Sequence, residues 1–141
     1  MKRQATAQWQ GDLKTGKGSL TTDSGVLSKT PYSFSTRFEG EKGTNPEELI
    51  AAAHAGCFTM ALSAELGKAG LTAQSLRTTA AVSLEKNGGG WGVTESHLEL
   101  VANVPGASQD AFKAAAETAK ANCPISKLLN ARITLAWKLE P

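Results

Sequence analysis

A long apolar run in the first half of the chain constrains its fold most. Residues 49–62 read LIAAAHAGCFTMAL, and they follow the sequence NPEE at residues 45–48. Asparagine is a favoured N-cap, proline suits the first helical turn, and acidic residues there complement the helix dipole. The run predicts a helix from Pro46 to about Leu66, ended by Gly67 or Gly70. Because nearly every face is apolar, we expect it to be buried all round, in a core or between subunits.

Period-two alternation predicts strands before this helix. Residues 5–10 alternate, and residues 11–12, 16–18 and 23–25 carry turn signals, so a small antiparallel sheet is expected here. In residues 32–38, Tyr, Phe, Thr and Phe alternate with Ser, Ser and Arg. This alternation predicts a half-buried strand whose polar face carries Arg37.

The second half predicts two more strands, two helices and a last strand. Alternating apolar residues at 76–84 and 98–104 flank the turn at residues 87–90 and indicate a hairpin. Ser108 is expected to cap a helix to about Ala121. A short helix from Pro124 to Leu129 and a strand over residues 133–139 complete the chain. The order predicts an α+β fold with antiparallel β-sheets around a long buried central helix, in a single domain spanning residues 1–141.

Composition excludes several classes of partner. The 141 residues carry 15 basic and 13 acidic side chains, and these are scattered along the chain. Without a basic arm, neither nucleic acid nor an anionic membrane is a predicted partner. The first residues do not resemble a secretory signal. The apolar run, interrupted by His54 and Glu65, is judged too short to span a bilayer. We therefore expect a cytoplasmic protein.

Two cysteines, Cys57 and Cys123, are the candidate reactive groups. Stable disulfides are uncommon in the cytoplasm, where paired cysteines are more often catalytic, redox-sensing or metal-binding. Cys57 lies within the apolar run, where the alternative is a small buried hydrophobe without chemistry. Cys123 precedes Pro124 at a predicted helix start, where the dipole favours a thiolate. Local sequence therefore favours Cys123 as the more acidic thiol, although it could equally be a capping-region residue without a role.

His54 precedes Cys57 by three residues, so the two share a helix face. They could form a nucleophile pair or two ligands of a zinc ion completed by His97 and Cys123. The spacing lacks a second local ligand pair, and neither a metal nor another cofactor is predicted. The simpler interpretation of His54 is a hydrogen-bonded core histidine, and that of His97 is a solvated strand face.

Three segments together carry a resemblance to a known family. The sequences GTNPEELI at residues 43–50, AAHAGCF at 52–58 and NCPISK at 122–127 resemble the OsmC/Ohr family, the osmotically inducible protein C and organic hydroperoxide resistance proteins. The resemblance extends over essentially the whole chain. The sequence YSFSTRFEG at residues 32–40 is more similar to the OsmC branch.

The resemblance implies an enzyme, a thiol-dependent peroxidase that reduces organic hydroperoxides and, more weakly, hydrogen peroxide. It also implies roles in oxidative and osmotic stress. By position in the motif, Cys57 becomes the peroxidatic thiol and Cys123 the resolving thiol. Arg37 and Glu47 become the polar pair that activates the site, with Glu47 holding the guanidinium through a bidentate contact. The family further implies an intertwined homodimer and a dithiol reductant, such as a lipoylated protein.

Helix geometry adds an expectation about the dimer. Glu47 and Cys57 are ten residues apart, or roughly 15 Å along one helix. If both serve one site, Glu47 is expected to come from the partner subunit. Two rival functions remain open at this point: a non-enzymatic module that shelters an apolar ligand, and a redox sensor that signals through a Cys57–Cys123 disulfide.

Overall fold

A computed structural model describes all 141 residues, which form six strands and four helices. The chain divides into two compact units, Met1–Leu49 and Ile50–Pro141. The elements are β1 (Ala5–Gln10), β2 (Lys17–Thr22), β3 (Thr30–Tyr32), α1 (Phe34–Phe38), α2 (Pro46–Lys68), β4 (Ser75–Asn87), β5 (Gly90–Asn103), α3 (Gln109–Asn122), α4 (Pro124–Leu128) and β6 (Arg132–Glu140). The predicted α+β class is confirmed, whereas the single domain over residues 1–141 stays a prediction.

The first unit contains the expected small antiparallel sheet, in the order β1-β2-β3. The β1–β2 turn is built on Asp12, whose carboxylate accepts hydrogen bonds from the backbone of Lys14 and Thr15 and from the Thr15 hydroxyl. On the sheet, the rings of Trp9 and Tyr32 lie 5.6 Å apart between centroids. Gly18 lies beneath both rings, and the absence of a side chain there leaves them room.

The segment carrying Arg37 is a helix, so the predicted strand over residues 32–38 is wrong beyond Tyr32. Ser33 caps α1 by accepting a hydrogen bond from the Thr36 amide, and the Thr36 hydroxyl accepts one from the Ser33 amide. This reciprocal capping box satisfies amides that a strand would have paired with a neighbour. The alternating aromatics instead form a tilted ring pair, because Phe34 and Phe38 are one helical turn apart with centroids separated by 4.9 Å.

The long helix α2 begins and ends as its sequence predicts. The Asn45 side chain accepts a hydrogen bond from the Glu48 amide at the start. At the end, Gly70 adopts a φ of 72° and the Leu71 amide bonds to the Leu66 carbonyl, a glycine-based C-cap.

Burial of α2 differs from the expectation. One stripe is buried, formed by residues four positions apart, namely His54, Phe58, Leu62 and Leu66. The opposite face is exposed in the single chain, with Met60 retaining 77% of its accessible surface. Burial on every face therefore does not occur within one chain, and burial between subunits stays a prediction.

The sequence-based judgement that this run is too short for a membrane span is also wrong on length. By length and composition alone, the 23-residue helix α2 could cross a bilayer, a test that core helices of soluble proteins also pass. That the protein has no membrane partner therefore stays a prediction.

The second unit is built on a sheet in the order β4-β5-β6. The β4–β5 hairpin is antiparallel as predicted, but β6 pairs with β5 in parallel, from Glu95–Arg132 to Asn103–Glu140. The sheet is therefore mixed and not wholly antiparallel. Parallel pairing requires a crossover connection, and α3 and α4 form it. The core of this unit consists of side chains from α2, β5 and α3, chiefly Phe58, Leu62, Leu66, Leu98, Leu100, Ala102, Phe112, Ala116 and Ala119.

Candidate active site

The structure brings the two cysteines of the second unit together. Cys57 lies in the middle of α2 and Cys123 at the junction of α3 and α4, where its amide bonds to the Ala119 carbonyl. Both are free thiols, and their side chains hydrogen-bond to each other. Cys123 is fully buried in the core, whereas Cys57 is only partly buried. A pair of adjacent thiols can cycle between a dithiol and a disulfide, provided that one of them is oxidised.

The surroundings of Cys57 favour its neutral form. Burial raises the pKa of the Cys57 thiol above its ordinary value, and the hydrogen bond with Cys123 raises it further. One group acts in the opposite direction, the Ile125 amide, whose hydrogen bond to the Cys57 sulfur lowers the pKa. This amide, at the start of α4, thus acts on the Cys57 sulfur. The pKa of the Cys57 thiol is therefore raised overall, and a nearby cation is the kind of group that would lower it.

Next to the thiols lies a buried polar cluster centred on His54. The ring is fully buried, with Nδ1 2.6 Å from the Ser96 Oγ and Nε2 2.8 Å from the Ser126 Oγ. Both nitrogens therefore have partners, which confirms the hydrogen-bonded core histidine. Sequence reasoning missed Ser96 and Ser126, because single serines in a strand and a short helix carry no pattern of their own. Burial lowers the pKa of His54, so the ring is neutral near pH 7.

In the first unit, Arg37 of α1 and Glu47 of α2 form the predicted bidentate pair. The Arg37 Nε donates to Glu47 Oε2 at 3.1 Å, and Nη2 donates to Oε1 at 2.7 Å. The Asn45 amide supports this arrangement by donating to the Thr36 carbonyl, which ties the end of α1 to the start of α2. Such a fork fixes the plane of a guanidinium as well as its position.

An apolar cavity adjoins Arg37 in the first unit. It has a volume of about 310 Å³ and is lined by aromatic and aliphatic side chains together with Ser33 and Arg37, namely by Trp9, Leu13, Tyr32, Phe34 and Phe38. Lys14 lies over the Phe34 ring at 4.3 Å from its centroid. A cavity with apolar walls and one cationic edge suits a ligand with an alkyl or aryl body and a polar end.

The remaining candidate, His97, takes no part in either cluster. Its Nδ1 contacts the Thr134 hydroxyl on the neighbouring strand β6. No group of three or more histidine, cysteine, aspartate and glutamate side chains is arranged to hold a metal ion. The four-ligand set of His54, Cys57, His97 and Cys123 is therefore not assembled, and His54 uses both ring nitrogens on serines.

Comparison with known proteins gives consistent matches over nearly the whole chain. Residues 39–138 match the family of OsmC-like proteins. The chain is 53% identical over 138 residues to the peroxiredoxin OsmC of Escherichia coli (strain K12), covering 98% of this chain and 96% of that protein. It is 29% identical over 126 residues to the organic hydroperoxide resistance protein OhrB of Bacillus subtilis, covering 87% and 89% of the two chains.

Solved structures agree in fold. The crystal structure of B. subtilis OhrB superposes with a TM-score of 0.72 at 28% identity, covering 96% of this chain and 98% of that one. An OsmC-like protein of unknown function from Vibrio cholerae superposes with a TM-score of 0.79 at 19% identity, covering 98% and 99%. At that identity the second match supports the fold alone.

Proposed function

This chain belongs to the OsmC family, and on that premise we propose that it is a thiol-dependent peroxidase that reduces organic hydroperoxides to alcohols. Hydrogen peroxide would be a weaker substrate. The observation that carries the proposal is the contact between two free thiols, Cys57 partly exposed and Cys123 buried behind it. The names of the relatives, a peroxiredoxin and a hydroperoxide resistance protein, support the same activity.

The proposed cycle uses each thiol for one step. The Cys57 thiolate attacks one oxygen of the hydroperoxide, the O–O bond breaks, and the alcohol leaves after taking up a proton. The sulfur, oxidised by two electrons, becomes a sulfenic acid. Cys123 then attacks that sulfur, an S–S bond forms, and the hydroxyl leaves as water. A dithiol reductant, such as a lipoylated protein, restores both thiols.

Arg37 and Glu47 are proposed to activate the reaction. The guanidinium would lower the pKa of the Cys57 thiol and stabilise negative charge developing on the peroxide. Glu47 would hold the guanidinium in the bidentate geometry described above. The cavity beside Arg37, walled by Trp9 and Phe34 among others, suits the organic body of such a substrate.

We place this chemistry in a homodimer. Glu47 and Cys57 are ten positions apart on α2, roughly 15 Å along the axis, so we propose that each site combines Cys57 of one subunit with Arg37 and Glu47 of the other. The exposed apolar face of α2, marked by Met60, supports a partner at this helix. We propose that the enzyme works in the cytoplasm, where dithiol reductants keep Cys57 and Cys123 reduced.

The first test counts thiols. Reduced protein treated with stoichiometric cumene hydroperoxide should lose both thiols, regain them with dihydrolipoamide and turn over many times. Cys57→Ser should abolish consumption, and Cys123→Ser should allow one turnover and then accumulate sulfenic or over-oxidised Cys57. Multiple turnover by Cys57→Ser would refute the assignment. Oxidation without turnover on any dithiol would indicate a redox sensor, and no oxidation would indicate a binding module.

The second test addresses the shared site by subunit exchange. Inactive Cys57→Ser and inactive Glu47→Ala proteins are mixed, mildly denatured and refolded together. A heterodimer with shared sites contains one site lacking both residues and one intact site, so activity should reappear. If the pair acts within one chain, each site lacks one residue and mixing restores nothing. That result, or a fully active monomer at low micromolar concentration, would refute the shared site and leave the peroxidase proposal standing.

A further inference from the structure

The buried histidine cluster joins three separate elements of the second unit. His54 comes from α2, Ser96 from β5 and Ser126 from α4. One ring nitrogen donates and the other accepts, since the ring is neutral. Every buried side-chain nitrogen and oxygen atom in the structure has a hydrogen-bond partner. The cluster is therefore a complete network, and such networks fix geometry more than isolated contacts do.

The His54–Ser126 contact and the Cys57–Cys123 contact involve the same two segments of the chain. His54 and Cys57 are three residues apart on α2, and Cys123 and Ser126 are three residues apart at the start of α4. Positions three apart lie on one helix face, one turn from each other. Cys57 meets Cys123, and His54 meets Ser126. Helix α2 thus contacts the segment at the start of α4 twice, once through the two thiols and once through the hydrogen bond between the imidazole and the Ser126 hydroxyl.

The short helix α4 buries few side chains. It is five residues long, and Ser126 is its one buried residue. Leu128, near its end, retains 73% of its accessible surface, whereas Ile125 is partly buried and packs against the core. A single turn of helix has negligible stability of its own. The His54–Ser126 hydrogen bond therefore adds a buried polar link between α2 and α4, beside the core packing of Ile125 and the Cys123–Ala119 backbone bond.

We propose that His54 is a positioning residue for the resolving step, holding α4 through Ser126 so that Cys123 stays against Cys57. The proposal rests on the peroxidase cycle and deepens it. Disulfide formation requires the two sulfurs to approach to about 2.05 Å with a narrow range of dihedral angles. If α4 moves away, the Cys57 sulfenic acid waits, and a second hydroperoxide can oxidise it to the sulfinic acid instead. His54 itself touches neither the substrate nor the reacting sulfurs.

Neutrality of the ring suits this role. Burial lowers the pKa of His54, so the hydrogen bond to Ser126 keeps one protonation state while the thiols react. Ser96 anchors the other nitrogen to β5. That strand is bonded to neighbours on both sides, β4 and β6, so its own position does not depend on the histidine. The network therefore links α4 to a strand that is held in place by its own sheet.

Two matched serine variants separate positioning from plain stability. Ser126→Ala and Ser96→Ala each remove one hydroxyl and leave one nitrogen of His54 unpaired, but only the first releases α4. Each protein receives one equivalent of cumene hydroperoxide, and three quantities are followed: the rate of Cys57 oxidation, the rate of disulfide formation and the sulfenic acid trapped by dimedone. Thermal unfolding is measured in parallel.

We expect Ser126→Ala to leave Cys57 oxidation within about threefold and to slow disulfide formation about tenfold, since small misplacements of reacting groups cost rate steeply. More sulfenic acid should be trapped, and over-oxidation should increase. Ser96→Ala should keep the disulfide step within about threefold of the unaltered protein. Equal slowing in both variants, in proportion to their loss of thermal stability, would overturn the proposal and leave His54 as a structural residue.

A second pair guards against misfolding of the serine variants. His54→Gln can place an amide near the former Nε2 and keep the Ser126 contact, whereas His54→Asn is shorter and can reach only Ser96. Faster disulfide formation in His54→Gln than in His54→Asn supports the proposal, and the reverse order overturns it. If Cys57 of the unaltered protein is not oxidised at all, the proposed function itself fails, a result distinct from slow resolution after normal oxidation.

Discussion

The two reactive regions of this protein are built in opposite ways. The thiol region, Cys57 with Cys123, packs in the apolar core, and burial is the largest influence on the pKa of Cys57. The charged region, Arg37 with Glu47, lies near the surface, and the two side chains retain 36% and 13% of their accessible surface. The first holds sulfurs close together without a charge. The second holds a charge in fixed geometry without a sulfur.

In the proposed mechanism, peroxide chemistry requires both regions. Burial brings Cys123 to Cys57 but favours the unreactive thiol over the thiolate. The predictions below test this division between a buried thiol region and an exposed charged one.

The largest effect is expected from Arg37→Ala. Removing the guanidinium should slow Cys57 oxidation by cumene hydroperoxide roughly 100-fold, as for loss of one charge-stabilising donor. The midpoint of the pH–rate profile should move to higher pH, because the thiolate loses its cation and its pKa rises. Stopped-flow oxidation rates between pH 5 and 10 give both quantities.

Arg77→Ala is the matched control, because it removes the same charge from an exposed position on β4. Its rate and profile should equal those of the unaltered protein. An unchanged profile in Arg37→Ala would contradict the assignment and transfer the activating role to another cation, with Lys42 as the next candidate.

A smaller effect is expected from Gly18→Ala in the first unit. A methyl group there would lie 2.5 Å from the Tyr32 ring and 2.7 Å from the Trp9 ring. The overpacking should lower the free energy of unfolding by about 1–3 kcal/mol, and near-ultraviolet circular dichroism should report the displaced rings. Gly92→Ala on β5 is the control, since a methyl group there meets nothing within 4 Å. Equal destabilisation by both variants would show that the ring pair is not closely packed.

The smallest effect concerns pH, because His54 in the second unit and Asp12 in the first unit should each contribute to stability in a different pH range. The pKa of His54 is lowered from 6.5, so the fold favours the neutral ring. Its contribution is complete above pH 6.5 and falls below it by at most about 1.4 kcal/mol per pH unit, until the folded pKa is passed. Urea unfolding at pH 7, 6 and 5 should show this slope, and His54→Gln should flatten it.

The Asp12 turn of the first unit should respond only in stronger acid. Hydrogen bonds from the Thr15 side chain, and then from its backbone, lower the pKa of Asp12 from 3.8. Its contribution is present above pH 3.8 and is lost as the pH falls through the lower folded value. Amide exchange at Lys14 and Thr15 should therefore stay constant between pH 7 and 5 after correction for intrinsic rates. A parallel loss of protection there and around His54 would contradict separate windows.

Much of the fold was predictable where local signals agree. The Asn45 cap, Pro46 and the apolar run specified α2, and Ser108 specified the start of α3. The family suggested by the cysteine motifs is confirmed, and so is the contact between Arg37 and Glu47. These features depend on residues that are close together in the sequence, so a single sequence is enough to predict them.

The failures share a physical cause, because each was decided by partners distant in sequence or by a competing local bond. Residues 34–38 alternate like a strand, but the Ser33 capping box favours a helix. The direction of β6 depends on how the crossover returns to β5, which no local pattern records. The His54 network joins residues 42 and 72 positions apart. Single polar residues of this kind become informative only after folding brings them together.

In the proposed cycle, burial of Cys123 would also determine which sulfur the reductant attacks. In a Cys57–Cys123 disulfide, the Cys123 sulfur is enclosed by the core, and only the Cys57 sulfur can be approached. An incoming thiolate must attack in line with the S–S bond at an accessible sulfur. The mixed disulfide with the proposed reductant would therefore form at Cys57, with Cys123 as the leaving group. Cys57, the proposed acceptor of the peroxide oxygen, would then also be the residue that the reductant attacks.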